Sequence, residues 1–267
     1  MSPALKLRLG LVLLAALLAV SLLYPLLAAI PGGPTCPFGR DLELPNQTVC
    51  ARTLGGVWRS VGLALGAGAA ACALALGLSV LARLLRGPAD LLVEKSADLV
   101  FSLPDVLVLL GVGFAVKVVR GGEDGVPLLF MGVALTAVGW AAPTRMVQNR
   151  LRSLERMDFV AAAESLGASR WRVVRRHLLP FAWDYLGAIF LLRVPAIVLT
   201  ESTVSFLGFG LPPDQPSLGK YLGANAAKLI LGEWRVVAPA WALLVLVVLA
   251  FQWTGEGLLA RTRVGGR

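Results

Sequence analysis

Charge is scarce in this chain. Only 15% of its 267 residues are Asp, Glu, Lys or Arg, where an ordinary soluble domain carries about 25%. That deficit argues against a cytosolic enzyme. A single histidine, His177, excludes any site built on several imidazoles. Alone in an arginine-rich stretch, it reads as a solvated or interfacial side chain. Three cysteines with no CxxC pair exclude the common zinc and iron–sulfur frameworks, so no metal site is expected. No GxxxxGKS or GxxxxGKT phosphate loop occurs. Gly219-Lys220 comes nearest, but it lacks the first glycine and is followed by Tyr221. Nucleotide chemistry is therefore expected on another chain. Neither HExxH nor GxSxG appears, so intramembrane hydrolysis has no constellation to run on. No repeat of solenoid period is present.

Long apolar runs are what the chain does have. Hydrophobic residues make up 57% of it, and its mean hydropathy is +0.76. A helix crossing a bilayer needs about 20 mostly apolar residues, and six stretches qualify: Leu9–Ile30, Ser60–Ala82, Leu99–Val116, Gly125–Thr144, Tyr185–Leu211 and Val236–Gly255. Their Leu, Ala and Val content, without period-2 alternation, favours helices over barrel strands. Lys6 and Arg8 before the first run resemble a signal-peptide n-region. The run is too long for a typical h-region, however, and Ile30-Pro31 is a poor cleavage context, so a retained span is expected. Pro104 and Asp105 interrupt the third span, Pro195 interrupts the fifth and Pro239 opens the sixth. The second span is rich in Gly and Ala (Gly62, Gly66, Gly68, Ala69–Ala71, Gly77), which suits close helix packing in lipid.

The basic residues set the orientation. With both termini inside, 16 Lys and Arg fall in inner segments and 8 in outer ones, and eight of the inner ones lie between Arg145 and Arg176. The positive-inside rule then puts the 145–184 loop in the cytoplasm. Pro31–Gly56 becomes an outer loop containing Cys36 and Cys50. They are either a bridge or two free thiols, and an oxidising compartment favours the bridge. Asn46-Gln47-Thr48 matches a glycosylation sequon, a weak pattern. Cys72 reads as a packing residue of the second span. The chain divides into residues 1–56, a first span with its outer loop, and 57–267, a core of five spans.

The cytoplasmic loop carries the most information. Met157, Val160, Ala161, Glu164 and Ser165 follow a helical 3–4 spacing, and Gly167 stands where a left-handed residue ends a helix. Ser169 can cap a second short helix with Trp171, Val174 and Leu178 as its apolar stripe and Pro180 as its end. With no bilayer to enter, these apolar and small residues call for a protein partner.

Ala162-Ala163-x-x-x-Gly167 followed by Leu179-Pro180 resembles the EAA loop of ABC importer permeases. The likeness extends in register through Val138-Gly139-Trp140 with Arg145 and Val147, through Phe159-Val160-Ala161-Ala162-Ala163, and through Leu166-Gly167-Ala168-Ser169-x-Trp171-Arg172. Glu201-x-x-x-Ser205-Phe206-Leu207-Gly208-Phe209-Gly210, Pro213-x-x-Pro216-Ser217-x-Gly219, and Phe251 with Gly255-Glu256-Gly257-Leu258 resemble the dipeptide/oligopeptide/nickel subgroup, the binding-protein-dependent transport system inner-membrane components. The likeness covers roughly residues 96–261. It implies an all-α membrane protein with six transmembrane helices, the type I importer permease (MetI-like) fold, in which a cytoplasmic coupling helix docks on an ATP-hydrolysing subunit. On this chain the docking residues would be Ala161, Ala162, Ala163, Glu164, Leu166, Gly167, Ala168 and Pro180. The likeness further implies a homologous second permease in a heterodimer, two ABC ATPases holding ATP and Mg, and an extracytoplasmic substrate-binding protein. It implies the bacterial inner membrane, no cofactor on this chain, no nucleic-acid partner, and a peptide, nickel or other small solute as cargo. Two departures stand out: Ala161 occupies the place where the family's loop usually begins with glutamate, with Glu164 one turn later offering a carboxylate on a nearby face, and the cysteine pair is not a feature the resemblance leads one to expect.

Asp105, Arg193 and Glu201 are the ionisable residues within the spans. Each costs about 2.5–3.5 kcal/mol near the bilayer centre on insertion scales, so each must face the bundle interior, a cavity or a partner. They are candidates either for a polar translocation path or for pairing between helices. Arg193 and Glu201 share a helix face about 12 Å apart, too far for contact, so each needs another partner. Two readings stand beside that of a permease: a stand-alone secondary transporter, for which no duplicated halves are evident, and a membrane scaffold without transport.

Overall fold

The computed structural model describes residues 2–28, 36–39, 48–85, 87–122, 125–212 and 215–264. Residues 31–35 and 40–47 of the Pro31–Gly56 loop, with the sequon up to Gln47, lie outside the described residues, as does Pro213. The described chain is helical: α1 (Pro3–Ala28), α2 (Val49–Leu85), α3 (Pro88–Ser102), α4 (Asp105–Val119), α5 (Leu128–Gly139), α6 (Ala141–Glu155), α7 (Asp158–Ser165), α8 (Arg170–Val173), a π-helical segment (Val174–Leu178), α9 (Leu179–Phe206), α10 (Leu218–Ala224), α11 (Ala226–Ile230) and α12 (Trp234–Val264).

Four helical stretches are long and apolar enough to cross a membrane: Pro3–Tyr24, Val49–Leu85, Arg170–Phe206 and Trp234–Arg261. Two bent pairs, α3 with α4 at 78° and α5 with α6 at 42°, bring the number to six if each pair crosses once. The third span is thus not one rod. It breaks at Leu103-Pro104, because proline has no N–H to continue the ladder and disfavours the α conformation in the residue before it. The second span starts at Val49 rather than Ser60, so the outer loop is shorter than the sequence suggests and α2 runs unbroken through Gly56 and Val57. Arg52 is buried in this extension, its guanidinium 5.5 Å from the Tyr221 ring centre.

Pro180 does not end a helix either. Residues 170–206 form one continuous helical stretch, and the π-helical turn at Val174–Leu178 stands just before the proline. A wider turn accommodates a residue that lacks the N–H of the normal ladder. Pro239 lies inside α12, which begins at Trp234.

Two apolar cores hold the helices together. The larger runs between α2, α4, α5, α9, α10 and α12 and includes Val61, Leu109, Met131, Val198 and Phe251. The smaller joins the end of α2 to α6, α7, α8 and the start of α9 through Cys72, Leu151, Leu154, Val160, Val174 and Leu178. Only part of the small-residue stripe on α2 is used within the chain. A side chain at Gly68 would touch Ile197 and Phe190 at 3.4 Å, while Gly62, Gly66 and Gly77 face open space. Gly62, Gly66 and Ala70 instead line an apolar trough of about 700 Å³ with Leu129, Gly132 and Val133 of α5.

Candidate functional site

The region between α6 and α9 forms the cytoplasmic-loop candidate. α6 is amphipathic. Val147, Leu151 and Leu154 are buried in the smaller core, and its arginines reach the acidic face of α3. Arg145 pairs with Asp98 at 3.3 Å and lies over the Phe101 ring at 4.8 Å. One to two turns on, Arg152 bonds Glu94 and Asp90, and Arg83 of α2 joins Asp90 to Glu155, the last of these at 3.1 Å. Sequence reasoning missed this ladder. Its signal was present: Asp90, Glu94 and Asp98 recur every four residues, which places them on one helix face, with Arg145 and Arg152 seven apart on another.

α7 is held by Val160, which is buried, and by Phe159, whose ring centre lies 5.5 Å from that of Phe181 and 6.2 Å from that of His177. Its other side is exposed at Asp158, Ala161, Ala162, Glu164 and Ser165, with Ala163 between the two environments. The sequence grouped Val160 with Ala161 and Ser165 on one stripe. In the structure Val160 turns inward while Ala161 and Ser165 face out. Leu166 follows as an 89% exposed knob. Gly167, at φ 79°, closes the helix. Its N–H bonds the Glu164 carbonyl at 2.9 Å, and the Ala168 N–H bonds that of Ala163 at 3.1 Å. This pair of bonds is the Schellman arrangement expected of a left-handed glycine. Ser169 precedes α8 in extended conformation but makes no side-chain cap. Trp171 is half exposed, whereas Val174 and Leu178 are buried in this chain's own core. The surface left for a partner is therefore the small-residue face of α7 with Leu166, rather than the expected apolar stripe of the second helix.

The three charges within the spans meet two fates. Arg193 of α9 donates to Asp105 at 3.0 Å. Asp105 is the first residue of α4, just past the Pro104 break. The Arg193 Nε is buried without a hydrogen-bond partner among the described residues. Glu201 is 1% exposed. Ser205 and Ser217 each donate a hydroxyl to its Oε1 at 2.7 Å, and Ser60 donates to its Oε2 at 3.1 Å, with Ser202 at 3.5 Å. Hydroxyls from α2, α9 and the segment before α10 thus take the place of water around one carboxylate. The close fit there requires Gly219, where a Cβ would fall 2.1 Å from the Ser202 carbonyl. α9 ends as α7 does: Gly208 at φ 87° bonds the Ser205 carbonyl, and Phe209 bonds that of Val204, both at 3.1 Å. Nothing in the sequence announced the serine cage, because its members are scattered over three elements.

Cys36 and Cys50 form a disulfide with their Cα atoms 5.8 Å apart, which ties the described part of the outer loop to the start of α2. Cys72 is free and buried. Among the described residues no group of His, Cys, Asp and Glu could hold a metal ion.

A helical bundle of four to six candidate spans, with a helix–glycine–helix excursion between two of them, describes an integral membrane protein. The model of the family described as "Binding-protein-dependent transport system inner membrane component" matches residues 70–255. The chain is 31% identical over 261 residues to a putative peptide permease protein of Brucella ovis, covering 93% of this chain and 83% of that one. It is 26% identical to the glutathione transport system permease protein GsiD of Pectobacterium atrosepticum, over 85% and 72% of the two chains. Its fold is that of a chain in the inward-facing MetNI methionine ABC transporter, at TM-score 0.61 and 23% identity, covering 78% of this chain and 94% of that one. The chain belongs to the family of binding-protein-dependent transport system inner membrane components. It is a permease subunit of an ABC importer, works with ATPase and permease partners, and leaves ATP hydrolysis to a separate subunit. Membership decides against the stand-alone transporter and the scaffold.

Proposed function

We propose that this permease forms half of a translocation path for peptides, in a heterodimer with a homologous second permease. Two ABC ATPases holding ATP and Mg complete the importer on the cytoplasmic side, and an extracytoplasmic binding protein delivers cargo. Both chain termini and the 145–184 loop lie in the cytoplasm, in keeping with the surplus of Lys and Arg there. Peptides are the cargo class because relatives are named for peptides and for glutathione. The residues assigned to ATPase coupling are Ala161, Ala162, Ala163, Glu164, Leu166, Gly167 and Ala168, with Pro180 setting the turn behind them.

One observation carries the coupling role: α7 buries Val160 within its own chain and presents Ala161, Ala162, Ser165 and Leu166 outward. Small side chains on a rigidly ended helix let another protein approach closely. Residues 170–206, which follow the Gly167 turn, form one helical stretch, so a displacement of α7 is carried to a spanning helix through the packing of Val160 on it. The open trough of Gly62, Gly66 and Gly132 supports pairing with a second permease, because small residues let helix backbones approach in lipid.

The test is uptake of a labelled short peptide together with co-purification of the ATPase from the same membranes. Leu166→Asp is expected to lose the ATPase while the chain remains in the membrane. Full retention of the ATPase would reject the coupling surface. Gly66→Ile is expected to lose the second permease but keep the ATPase.

A further inference from the structure

We infer that Arg193 binds the C-terminal carboxylate of a peptide in transit, with Asp105 as the counter-ion that this carboxylate displaces. The guanidinium nitrogens have different surroundings. Nη2 donates to Asp105 Oδ2 at 3.0 Å. Nε is enclosed, and a Cβ at Gly139, the last residue of α5, would lie 3.4 Å from Nη2 and 3.7 Å from Nε. Nη1 makes no hydrogen bond among the described residues, and it is not enclosed. The same is true of Asp105 Oδ1. The pair is thus joined by one bond and open beyond it. The Arg193 side chain is 15% exposed and that of Asp105 31%.

That opening cannot face hydrocarbon. The charges of α9 between Tyr185 and Phe206 are Arg193 and Glu201. This part of the helix is about 32 Å long and matches a hydrocarbon core about 30 Å thick. Arg193 lies about 12 Å from its Tyr185 end and about 20 Å from its Phe206 end. An exposed ion pair at that depth must face a water-filled cavity or other protein. From Arg193 toward Phe206, one face of α9 carries Ala196, Thr200 and Thr203 at helical spacing. These are half-buried to exposed, with no large apolar side chain among them. The opening therefore stands at the head of a small, hydroxylated stripe, as suits a water-filled path. A guanidinium with a free donor edge fits a carboxylate, and every unmodified peptide carries one at its C terminus. Asp105 already holds the place of such a group. An incoming carboxylate that takes over from Asp105 keeps Arg193 neutralised and frees the first residue of α4 from α9, beside the Pro104 break. The inference rests on the proposed peptide cargo.

The experiment uses the purified complex of this chain with its second permease and ATPases, without the binding protein, so that peptide binding reports on the membrane complex. Isothermal titration compares trialanine with trialanine amide, which lacks the carboxylate. Trialanine is expected to bind about tenfold more tightly, the effect of one charge-assisted bond, and R193Q to lose that preference. D105N removes the competing carboxylate but keeps its shape, and is expected to bind trialanine about tenfold more tightly than wild type. A purely structural pair would weaken binding in both variants alike. Three results would overturn the inference: no binding of trialanine by the wild type, equal binding of trialanine and its amide, or weakening in D105N as in R193Q. Loss of the second permease from R193Q would also overturn it, by giving the open edge of Arg193 to the partner. Uptake of labelled trialanine by the complete importer, binding protein included, tests the cargo reading separately. Uptake without a carboxylate preference in the complex would leave peptide as the cargo and remove Arg193 as its site.

Discussion

The two ionic sites within the spans answer the same cost in opposite ways. Arg193 and Asp105 neutralise each other through one bond of 3.0 Å between α9 and the start of α4. Glu201 has hydroxyls from four serines on three elements and is sealed from solvent. A single ion pair depends on one distance, and it is lost if α4 swings about the Pro104 break. A cage of separate donors loses one contact at a time. The pair is therefore suited to a joint that moves between transport states, and the cage to a joint that holds α2, α9 and α10 together throughout.

The largest effect is expected from unbalancing the pair. Arg193→Leu leaves Asp105 without its cation; because the Asp105 side chain is 31% exposed, the cost should fall below that of breaking a fully buried pair, at about 2–3 kcal/mol, read as loss of folded protein in mixed-micelle denaturation. Adding Asp105→Leu should restore most of that loss. If the double variant is no more stable than Arg193→Leu, the two residues do not act as a pair. Glu201→Gln keeps size and turns one acceptor oxygen toward the serines into an NH2 donor, at about 1 kcal/mol for each of the two short bonds. We expect a lower melting temperature with ATPase co-purification unchanged and uptake reduced less than in Arg193→Leu. Uptake lost as fully as in Arg193→Leu would put Glu201 on the path and not in a fixed joint.

The two glycine-ended helices sharpen the contrast further. Gly167→Val and Gly208→Val impose the same left-handed strain, about 1–2 kcal/mol, in sites where a Cβ meets nothing. Gly167→Val should weaken stimulation of the ATPase with little loss of membrane assembly, and Gly208→Val should do the reverse. Identical phenotypes would mean that α7 has no docking role of its own. The smallest effect is expected at the disulfide: alkylation without reductant should label neither Cys36 nor Cys50, and full labelling of both would show the thiols to be free.

Much of this architecture is legible in the chain. Pro104-Asp105 marks the break in the third span, Gly167 the end of α7, and Cys36 and Cys50 their bridge. The misses have physical causes. The start of α2 is hidden because Arg52 and Arg59 depress local hydropathy, although Arg52 is buried against Tyr221. Pro180 looks like a terminator because its missing N–H forbids a regular turn, and a wider turn before it was the unforeseen remedy. The serine cage and the α3–α6 ladder need the tertiary fold to bring their members together. Only the four-residue recurrence of Asp90, Glu94 and Asp98 hinted at the ladder.

The π-helical turn at Val174–Leu178 also acts as a phase setting. Each residue of an α-helix advances the chain by about 100° around the axis, and a π turn takes up an extra residue without adding a full step of rotation. The azimuth of the short helix Arg170–Val173 relative to α9 is therefore set by this one turn. Deleting a single residue there is expected to convert it to ordinary helix and to rotate Arg170–Val173 about the axis of α9, against the core packing of Val160, Val173 and Val174. Under the proposed coupling role, register as well as surface chemistry sets where the chain meets the ATPase.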